Sequence, residues 1–544
     1  MNTPQTPQRK PFLQWILFLL FLLVGIYIGQ RTTTPTRTFS LDVANELSKL
    51  ELVLQQVQDN YLDTVHIPTL IENSLPLIMT ELDPHSQYIS AEDMARANES
   101  IEGNFDGIGV TFNMPSDTVV VMNVIAGGPS ERAGIRPGDR ILTVNDSLIA
   151  GRKLEQNAVV KMLRGQRGTK VRLGVARSGE KTLLPVTIIR DKIPVKSVDA
   201  AYMINHETAY IHLSKFSKTT YQEFLDAMST MRTAGMKNLI LDLRGNTGGL
   251  LEQSFEIANE FLEKENMIVY TKGRARPRQD YKATGNGRYR DVRLAILIDE
   301  NSASASEIVA GAIQDNDRGL IIGRRSFGKG LVQEPIFFSD NSGLRLSVAR
   351  YYTPTGRSIQ KPYESNNLQA YENELNDRYR SGEMNTSDSA KMSGEQFLTP
   401  KGKILYGGGG IMPDVFVPID TTGFNPYFIS INRKNLIYRF ALQFTDQRRA
   451  ALNAIRTPNE LNNYFAGYHL DELFRRYAAG IGVIATDTEW EECRHLIDVH
   501  LRAYIGRNTP LEDLAYYMTI AKIDHTLSKA IEELNEPSTR QSID

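Results

Sequence analysis

The sequence predicts a multidomain α/β protein. Three observations indicate this: an apolar run near the N-terminus, a block of short β-rich segments, and a longer part in which strands alternate with helices. Such alternation is typical of a layered domain with a largely parallel sheet. The 544 residues have room for three or four domains, taking roughly 150 residues for each.

Changes in composition and pattern divide the chain into seven segments. We expect a cytoplasmic tail at 1–11, a transmembrane signal anchor at 12–29, a linker at 30–40, a helical region at 41–95, a β domain at 96–190, an α/β domain at 191–420 and a helical region at 421–544. Within the α/β domain, the polar stretch 364–395 predicts a mobile surface insertion.

The N-terminal run FLQWILFLLFLLVGIYIG (Phe12 to Gly29) is almost wholly apolar, and Arg9 and Lys10 precede it. As a helix it would reach roughly 27 Å, close to the thickness of a bilayer core. The sequence after it lacks a good small-x-small cleavage site, which favours an uncleaved anchor over a cleaved signal peptide. We expect a single-pass protein of the inner (cytoplasmic) membrane. The rest of the chain after the anchor would lie in the periplasm or elsewhere outside the cytoplasm.

Composition argues against several classes of function. The net charge is −2, so no basic excess is available for a nucleic-acid partner. Cys493 is the single cysteine, which excludes a disulfide framework and a cysteine-based metal site. The eight histidines form no His-x-x-x-His pair. We therefore expect no metal and no cofactor.

The β domain contains a glycine-flanked turn that suits a peptide ligand. Gly107 and Gly109 flank Ile108 at the start of a strand, where backbone N–H groups can cradle a carboxylate and a strand edge can accept an extended peptide. Together with AGIRPGD at 133–139, this segment resembles a PDZ domain; the alternative is a small β-barrel without a ligand. The resemblance implies capture of a peptide C-terminus by a loop made of Phe105, Gly107, Ile108, Gly109 and Val110.

A serine and a lysine follow neighbouring strands of the α/β part. Ser304 stands at a strand-to-helix junction, where free N–H groups favour an oxyanion. Taken alone, Ser304 and Glu307 form an S-x-x-E pattern, and the simpler interpretation of that pattern is a capping box. Lys329 follows the next strand, and the ends of neighbouring parallel strands lie side by side. A lysine made neutral by burial can take the proton of a serine.

A glycine turn after a third strand adds candidate oxyanion donors. The segment NLILDLRGNTGGLL (Asn238 to Leu251) is a buried strand, a glycine turn and the start of a helix. Gly248 and Gly249 could present N–H groups together with that of Ala305. A sharp turn that needs positive φ is the simpler interpretation, and it is compatible with that role.

Taken in order, these motifs resemble the C-terminal processing proteases, also called tail-specific proteases. This family of serine peptidases has a Ser/Lys dyad and an inserted PDZ domain. The resemblance covers roughly Leu41 to Pro418. Its motifs are LDPHSQY, the PDZ segment, DLRGNTGG, SASASE, SFGKGLVQ, YYTPTGRSIQ and GIMPD.

The resemblance implies a role for each matching residue. Ser304 would be the nucleophile, Lys329 the general base and Gln333 the residue that orients the lysine. Only the family spacing to Lys329 selects Ser304 over Ser302 and Ser306. Oxyanion donors would be Gly249 and Ala305, with Gly248 as a further candidate, and Arg164 would link the PDZ domain to the catalytic site.

Three alternatives stay open at this point. GRRSFGKG (Gly323 to Gly330) nearly matches a phosphate-binding P-loop, but Gly330 stands where a magnesium-binding hydroxyl is needed. A Ser-His-Asp hydrolase would use His85 or His212 instead of the lysine. A membrane-tethered PDZ protein without catalysis would bind tails and leave them intact.

The predicted anchor and the resemblance to tail-specific proteases also indicate the partners. They are protein or peptide substrates with accessible C-terminal tails, the membrane through the N-terminal helix, and a second copy of the chain or an adaptor at the helical C-terminal region.

Overall fold

A computed structural model of the protein describes residues 41–114, 117–364, 367–386 and 395–536. The tail, anchor and linker predicted at 1–40 lie outside these ranges. Among the helices that are described, none combines the length and apolarity needed to cross a bilayer.

The chain divides into two compact units, one up to Leu75 and one from Pro76 onward. Helix α1 (Leu41–Asn60) lies in the first, and helix α2 (Ile67–Thr80) spans the boundary. Strand β1 (Gln87–Ile89) and helix α3 (Ala91–Glu102) follow in the second unit. The region predicted to be helical at 41–95 thus contains a strand.

The β domain is built around a five-stranded antiparallel path. Its strands run in the order β3-β4-β5-β7-β8, with β6 beside β5, while β2 pairs with β9 in a separate ribbon. The bounds are β2 (Asn104–Gly107), β3 (Val110–Asn113), β4 (Val119–Val124), α4 (Pro129–Arg132), β5 (Arg140–Val144), β6 (Ser147–Leu148), α5 (Gln156–Leu163), β7 (Lys170–Ala176), β8 (Leu184–Ile189) and β9 (Asp191–Pro194).

The α/β domain has a six-stranded sheet with a parallel centre, as predicted. The strand order is β10-β11-β12-β15-β16-β21, antiparallel only between β10 and β11. The bounds are β10 (Val198–Met203), β11 (Thr208–Leu213), α6 (Thr220–Thr233), β12 (Asn238–Asp242), α7 (Leu251–Asn259), β15 (Arg293–Ile298), α8 (Ala305–Asp315), β16 (Leu320–Gly323) and β21 (Val415–Phe416).

Beside this sheet lies a second one, in the order β1-β18-β13-β14, with β17 on β18. Its strands are β13 (Met267–Lys272), β14 (Gln279–Lys282), β17 (Leu331–Phe337) and β18 (Gly343–Tyr352). Strand β1 enters through pairs such as Gln87 with Arg345. This contact joins positions far apart in sequence, and the local periodicity of residues 41–95 gives no sign of it.

Part of the polar stretch 364–395, for which the sequence predicts a mobile insertion, folds as a helix. Helix α9 (Leu368–Arg380) lies within it and buries Tyr371 and Arg378. Arg378 Nη2 donates to the carbonyl of Arg325 at 2.7 Å, and its Nε pairs with Glu383 at 3.0 Å. Paired charges allow a polar segment to pack. A short hairpin, β19 (Gln396–Leu398) and β20 (Ile404–Tyr406), follows.

The C-terminal region is helical, as predicted, and has its own apolar core. Its helices are α10 (Pro426–Arg433), α11 (Leu436–Gln447), α12 (Arg449–Leu452), α13 (Pro458–Ala466), α14 (Leu470–Gly480), α15 (Asp487–Arg507), α16 (Glu512–Ile520), a 3-10 turn (Ala521–Ile523) and α17 (His525–Asn535).

The last helix of this region completes the α/β domain. Leu527, Ala530 and Leu534 of α17 pack in one buried cluster with Ile240 and Leu297 of the central strands. The opposite face of the sheet is covered by α6, α7 and α8. Residues beyond 421 therefore supply part of the covering layer of the sheet that carries the site.

Candidate active site

The turn that carries Ser304 is strained. Ser304 precedes α8 and has φ 56° and ψ −112°, a conformation that costs a non-glycine residue about 1–3 kcal/mol. Its N–H donates to Glu307 Oε2 at 2.8 Å. The strain places a half-exposed serine at the carboxyl edge of the sheet, directly after β15.

Its two neighbouring serines are held differently. Ser302 Oγ donates to the carbonyl of Leu243 at 2.8 Å, and Ser306 Oγ donates to the carbonyl of Asn246 at 2.8 Å. Both side chains are fully buried. Of the three, only Ser304 is open to a substrate.

Lys329 lies in the loop after β16, at the same edge. Its Nζ donates to Gln333 Oε1 at 3.0 Å, and Gln333 Nε2 donates to the carbonyl of His85 at 2.5 Å. Burial of the amine, with the positive charge of Arg345, lowers the pKa of Lys329 below its ordinary value. The charges of Glu307 and Asp83 oppose this shift.

Two buried side chains join the serine turn to the lysine loop. Glu307 Oε1 accepts hydrogen bonds from Ser326 Oγ at 2.6 Å and the N–H of Gly328 at 2.8 Å. Its Oε2 accepts from the N–H of Lys329 at 2.9 Å, as well as from Ser304.

The second joining side chain is Tyr351 of β18. Its hydroxyl lies 2.5 Å from the carbonyl oxygen of Lys329 and 3.1 Å from that of Ser304. The sequence predicts only a capping role for Glu307 and no role for Tyr351. The S-x-x-E spacing was the one available signal for Glu307; its contacts with the lysine loop depend on the fold.

Among the described residues, no hydrogen bond joins Ser304 Oγ to Lys329 Nζ. The lysine is held instead by Gln333. Catalytic hydrogen bonds are commonly long before substrate binds. The arrangement places the two groups on adjoining loops, with the amine directed to its orienting partner.

The glycine turn after β12 packs against the serine turn. A Cβ on Gly248 would lie 2.8 Å from that of Ser304, and one on Gly249 would lie 2.1 Å from the carbonyl oxygen of Phe216. Only glycine fits at either place. However, the N–H of Gly248 already donates to Asn246 Oδ1 at 2.9 Å, so the expectation that it serves an oxyanion does not hold.

The N–H groups of Gly249 and Ala305 differ from that of Gly248. Neither donates to an acceptor within the described part of the chain. Ala305 directly follows Ser304 and its N lies 2.9 Å from where a Cβ on Gly248 would be, so the turn of Gly248 and Gly249 packs against the start of α8. These two amides are therefore free to bind a developing negative charge.

Neither histidine occupies the position of a general base. His85 Nε2 lies 2.8 Å from the hydroxyl of Tyr371, and burial with the charge of Lys329 lowers the pKa of His85 to about 4. His212 stacks on Tyr517 at 4.3 Å between ring centroids. In the described ranges, neither ring bonds to Ser304.

The P-loop alternative also disagrees with the structure. A P-loop leads into a helix whose N-terminus binds phosphate, whereas the loop from Gly323 to Gly330 leads into strand β17.

The predicted tail-binding residues lie at the edge of the β domain. Phe105 and Gly107 belong to β2, whereas Ile108 and Gly109 form the turn into β3, which Val110 begins. The N–H groups of Ile108 and Gly109 have no acceptor among the described residues, whereas their carbonyls accept from the N–H groups of Ser130 and Ile125.

Arg164 lies between the β domain and the segment that leads to the lysine. Its guanidinium stacks on the ring of Phe105 at 4.3 Å and pairs with Glu99 of α3. Helix α3 directly follows β1, and His85, whose carbonyl binds Gln333, directly precedes β1.

Three family models match the chain. Peptidase family S41 matches residues 207–365, a PDZ domain matches 107–188, and a family of unknown function matches 427–509. The chain is therefore a serine-type peptidase with a PDZ domain.

Curated relatives give the family. The carboxy-terminal-processing protease of Bartonella bacilliformis is 35% identical over 354 residues, which cover 63% of this chain and 80% of the relative. A probable CtpA-like serine protease of Staphylococcus aureus is 35% identical over 346 residues, covering 63% and 68%. The chain belongs to the carboxy-terminal-processing protease family.

A photosystem II D1 C-terminal processing protease of known structure is 24% identical, covering 68% of this chain and 92% of its own. Its TM-score is 0.34, too low to support a conclusion about shared geometry.

Proposed function

We propose that the protein is a membrane-anchored, exported endopeptidase that recognises protein C-terminal tails and cleaves peptide bonds with Ser304 and Lys329. The observation that carries this proposal is the junction of the serine turn and the lysine loop through Glu307. The apolar run 12–29 supports a single-pass anchor in the inner (cytoplasmic) membrane, with the catalytic part in the periplasm or elsewhere outside the cytoplasm.

In the proposed reaction, Ser304 Oγ attacks a backbone carbonyl carbon while neutral Lys329 takes the serine proton. The N–H groups of Gly249 and Ala305 stabilise the oxyanion. The lysine ammonium then gives its proton to the leaving amine. Water, deprotonated by the lysine, hydrolyses the acyl-enzyme and restores Ser304. Gln333 orients the lysine throughout.

Tail recognition is proposed for the edge strand β3. Within the described residues β3 pairs only with β4, so its other edge can take an extended peptide. The unpartnered N–H groups of Ile108 and Gly109 would bind the terminal carboxylate. Arg164, through Glu99 and α3, would transmit occupancy of the groove toward His85 and Gln333.

The C-terminal region supports a protein partner, either an adaptor or a second copy of the chain. It exposes several large apolar side chains, namely Phe424, Ile429, Ile481 and Ile484.

The experiment that tests this function compares one unfolded protein with three ends: a free apolar tail, the same tail amidated, and a tail ending in aspartate. We expect kcat/KM to fall about 10- to 100-fold for the amidated tail, because a lost charge-assisted contact costs about 1.5–3 kcal/mol. It should also fall for the aspartate tail, which keeps the terminal carboxylate but carries a charged side chain where the free tail is apolar. The lower kcat/KM should come from a higher KM, with kcat little changed. Equal cleavage of all three would contradict tail recognition while leaving the peptidase activity intact.

The rate should also rise with pH, because Lys329 must be neutral to act as the base. The rise should be centred on its lowered pKa and so begin below the pH at which a free lysine amine loses its proton. Arg345→Met removes a charge that lowers this pKa and should shift the rise to higher pH. Asp83→Asn removes a charge that raises it and should shift the rise to lower pH. A pH-rate profile with kcat limited by chemistry measures both, and shifts of the same sign would contradict the assignment.

A further inference from the structure

A buried guanidinium without a hydrogen-bond acceptor lies where the PDZ domain meets the helical C-terminal region. Arg449 begins helix α12. Its Nε, Nη1 and Nη2 atoms are all buried, and none has a partner among the described residues. Buried polar groups are nearly always paired, and an unpaired buried charge is costly.

The adjacent carboxylate does not satisfy this group. Asp446 Oδ1 lies 3.7 Å from Arg449 Nη2, beyond hydrogen-bond distance. Asp446 Oδ2 accepts a hydrogen bond from Arg140 of the PDZ domain. The turn at Gly138 covers the aliphatic part of Arg449, since a Cβ there would lie 3.6 Å from its Cγ.

Arg449 lines a cavity of about 340 Å³ between the two domains. One wall is apolar: Val120 and Met122 of β4 face Leu442 of α11 and Tyr477 of α14. The first three of these also share a small buried cluster. A ligand here would meet an apolar surface from both domains.

The charged residues of the cavity are unbalanced. Arg140, Arg439 and Arg449 line it with only one acid, Asp446, giving a net charge of +2. Arg140 is paired with that acid, and Arg439 is exposed at the rim, where water solvates it. Asp446 is thus shared by Arg140 and Arg449, and the buried guanidinium of Arg449 has no hydrogen-bonding anion of its own.

We propose that this cavity binds an apolar carboxylate, with the carboxylate on Arg449 and the apolar part against the wall of Val120, Met122, Leu442 and Tyr477. A planar guanidinium matches a carboxylate in a bidentate pair. A single buried positive charge matches a monoanion, and the apolar wall disfavours inorganic phosphate. The carboxylate can belong to a free small acid or to the C-terminus of a peptide with an apolar last residue. The inference does not depend on the peptidase assignment.

The first test titrates the full chain with 4-phenylbutyrate and with its primary amide by calorimetry. We expect the amide to bind at least about tenfold more weakly than the acid. Arg449→Met should remove that preference. Arg449→Lys keeps the charge but loses the planar fork, so it should lower the affinity for 4-phenylbutyrate about tenfold. Arg439→Met, at the exposed rim, is the control and should change affinity less than threefold.

Thermal stability gives a second readout. In the absence of ligand, Arg449→Met should melt higher than wild type, because it removes a buried guanidinium that has no hydrogen-bond partner. The acid should raise the melting temperature of wild type and not that of the variant. Equal binding of acid and amide would overturn the proposal. So would unchanged acid binding by Arg449→Met, or a variant that melts lower while the acid leaves wild type unshifted.

A peptide with an apolar last residue distinguishes the two sources. If a peptide terminus is the ligand, wild type should show two binding events, of which Arg449→Met loses one, while amidation of the peptide weakens both because both sites bind the terminal carboxylate. If the free small acid is the ligand, the peptide should show only an event that Arg449→Met leaves unchanged, while 4-phenylbutyrate still requires Arg449.

Discussion

Replacing Lys329 by alanine is expected to lower kcat at least about 10³-fold, and Ser304→Ala is expected to lower it by at least as much. The serine is a weak nucleophile while it keeps its proton, and the lysine amine at this sheet edge has the lowered pKa needed to accept it. Because the two groups act in one step, the double variant should be no slower than the slower single variant. Mass spectrometry of the products from an unfolded, apolar-tailed protein measures the rates.

The control for this experiment is the serine pair on either side of Ser304. Ser302→Ala and Ser306→Ala remove hydroxyls that donate to backbone carbonyls, so they should lower stability and leave at least a tenth of kcat. Tail binding should be kept in Lys329→Ala. Full activity in Ser304→Ala would contradict the assignment. So would a loss of activity in Ser306→Ala alone.

Replacing Glu307 by glutamine is expected to have the second-largest effect. The carboxylate accepts four hydrogen bonds, from Ser304, Ser326, Gly328 and Lys329. An amide has one acceptor oxygen, so two donors lose their partner, each at a cost of about 1–3 kcal/mol. Since these donors fix the relative positions of the serine turn and the lysine loop, kcat should fall about 10- to 100-fold. Steady-state kinetics should show little change in KM.

Glu300→Gln is the matched control. Glu300 is also buried at this edge, but its oxygens accept from Arg324 at 2.8 Å and Tyr379 at 2.8 Å, not from the turn or loop backbone. It should lose stability with kcat nearly unchanged. If the fall in kcat follows the fall in melting temperature in both glutamine variants, Glu307 has only a structural role.

Much of the architecture could be predicted because it depends on local patterns. Strand and helix alternation gave the α/β domain, and the glycine-rich strand starts gave the PDZ domain; both predictions are confirmed. The placement of Ser304 and Lys329 at one sheet edge follows from parallel pairing of β15 and β16. Their catalytic roles, and the membrane anchor, stay predictions.

Other features depend on contacts between distant segments. Strand β1 exists because Gln87 and its neighbours pair with β18, and a three-residue strand has no periodicity of its own. Helix α9 is ordered by ion pairs that its composition does not reveal. Gly248 has the expected conformation, but Asn246 takes its N–H. The contacts of Glu307 with the lysine loop likewise require the folded chain.

The most direct measurement of the central claim, that the amine of residue 329 is the base, is chemical rescue of Lys329→Cys. Treatment with 2-bromoethylamine converts this cysteine to a thioether analogue of lysine with a more acidic ammonium. The native Cys493 is fully buried, so residue 329, which is only partly buried, should react first; treated wild type is the control. We expect Lys329→Cys to be inactive, aminoethylation to restore cleavage, and the pH-rate profile of the restored enzyme to shift to lower pH. Cleavage by untreated Lys329→Cys, or restored cleavage with an unshifted profile, would contradict the central claim.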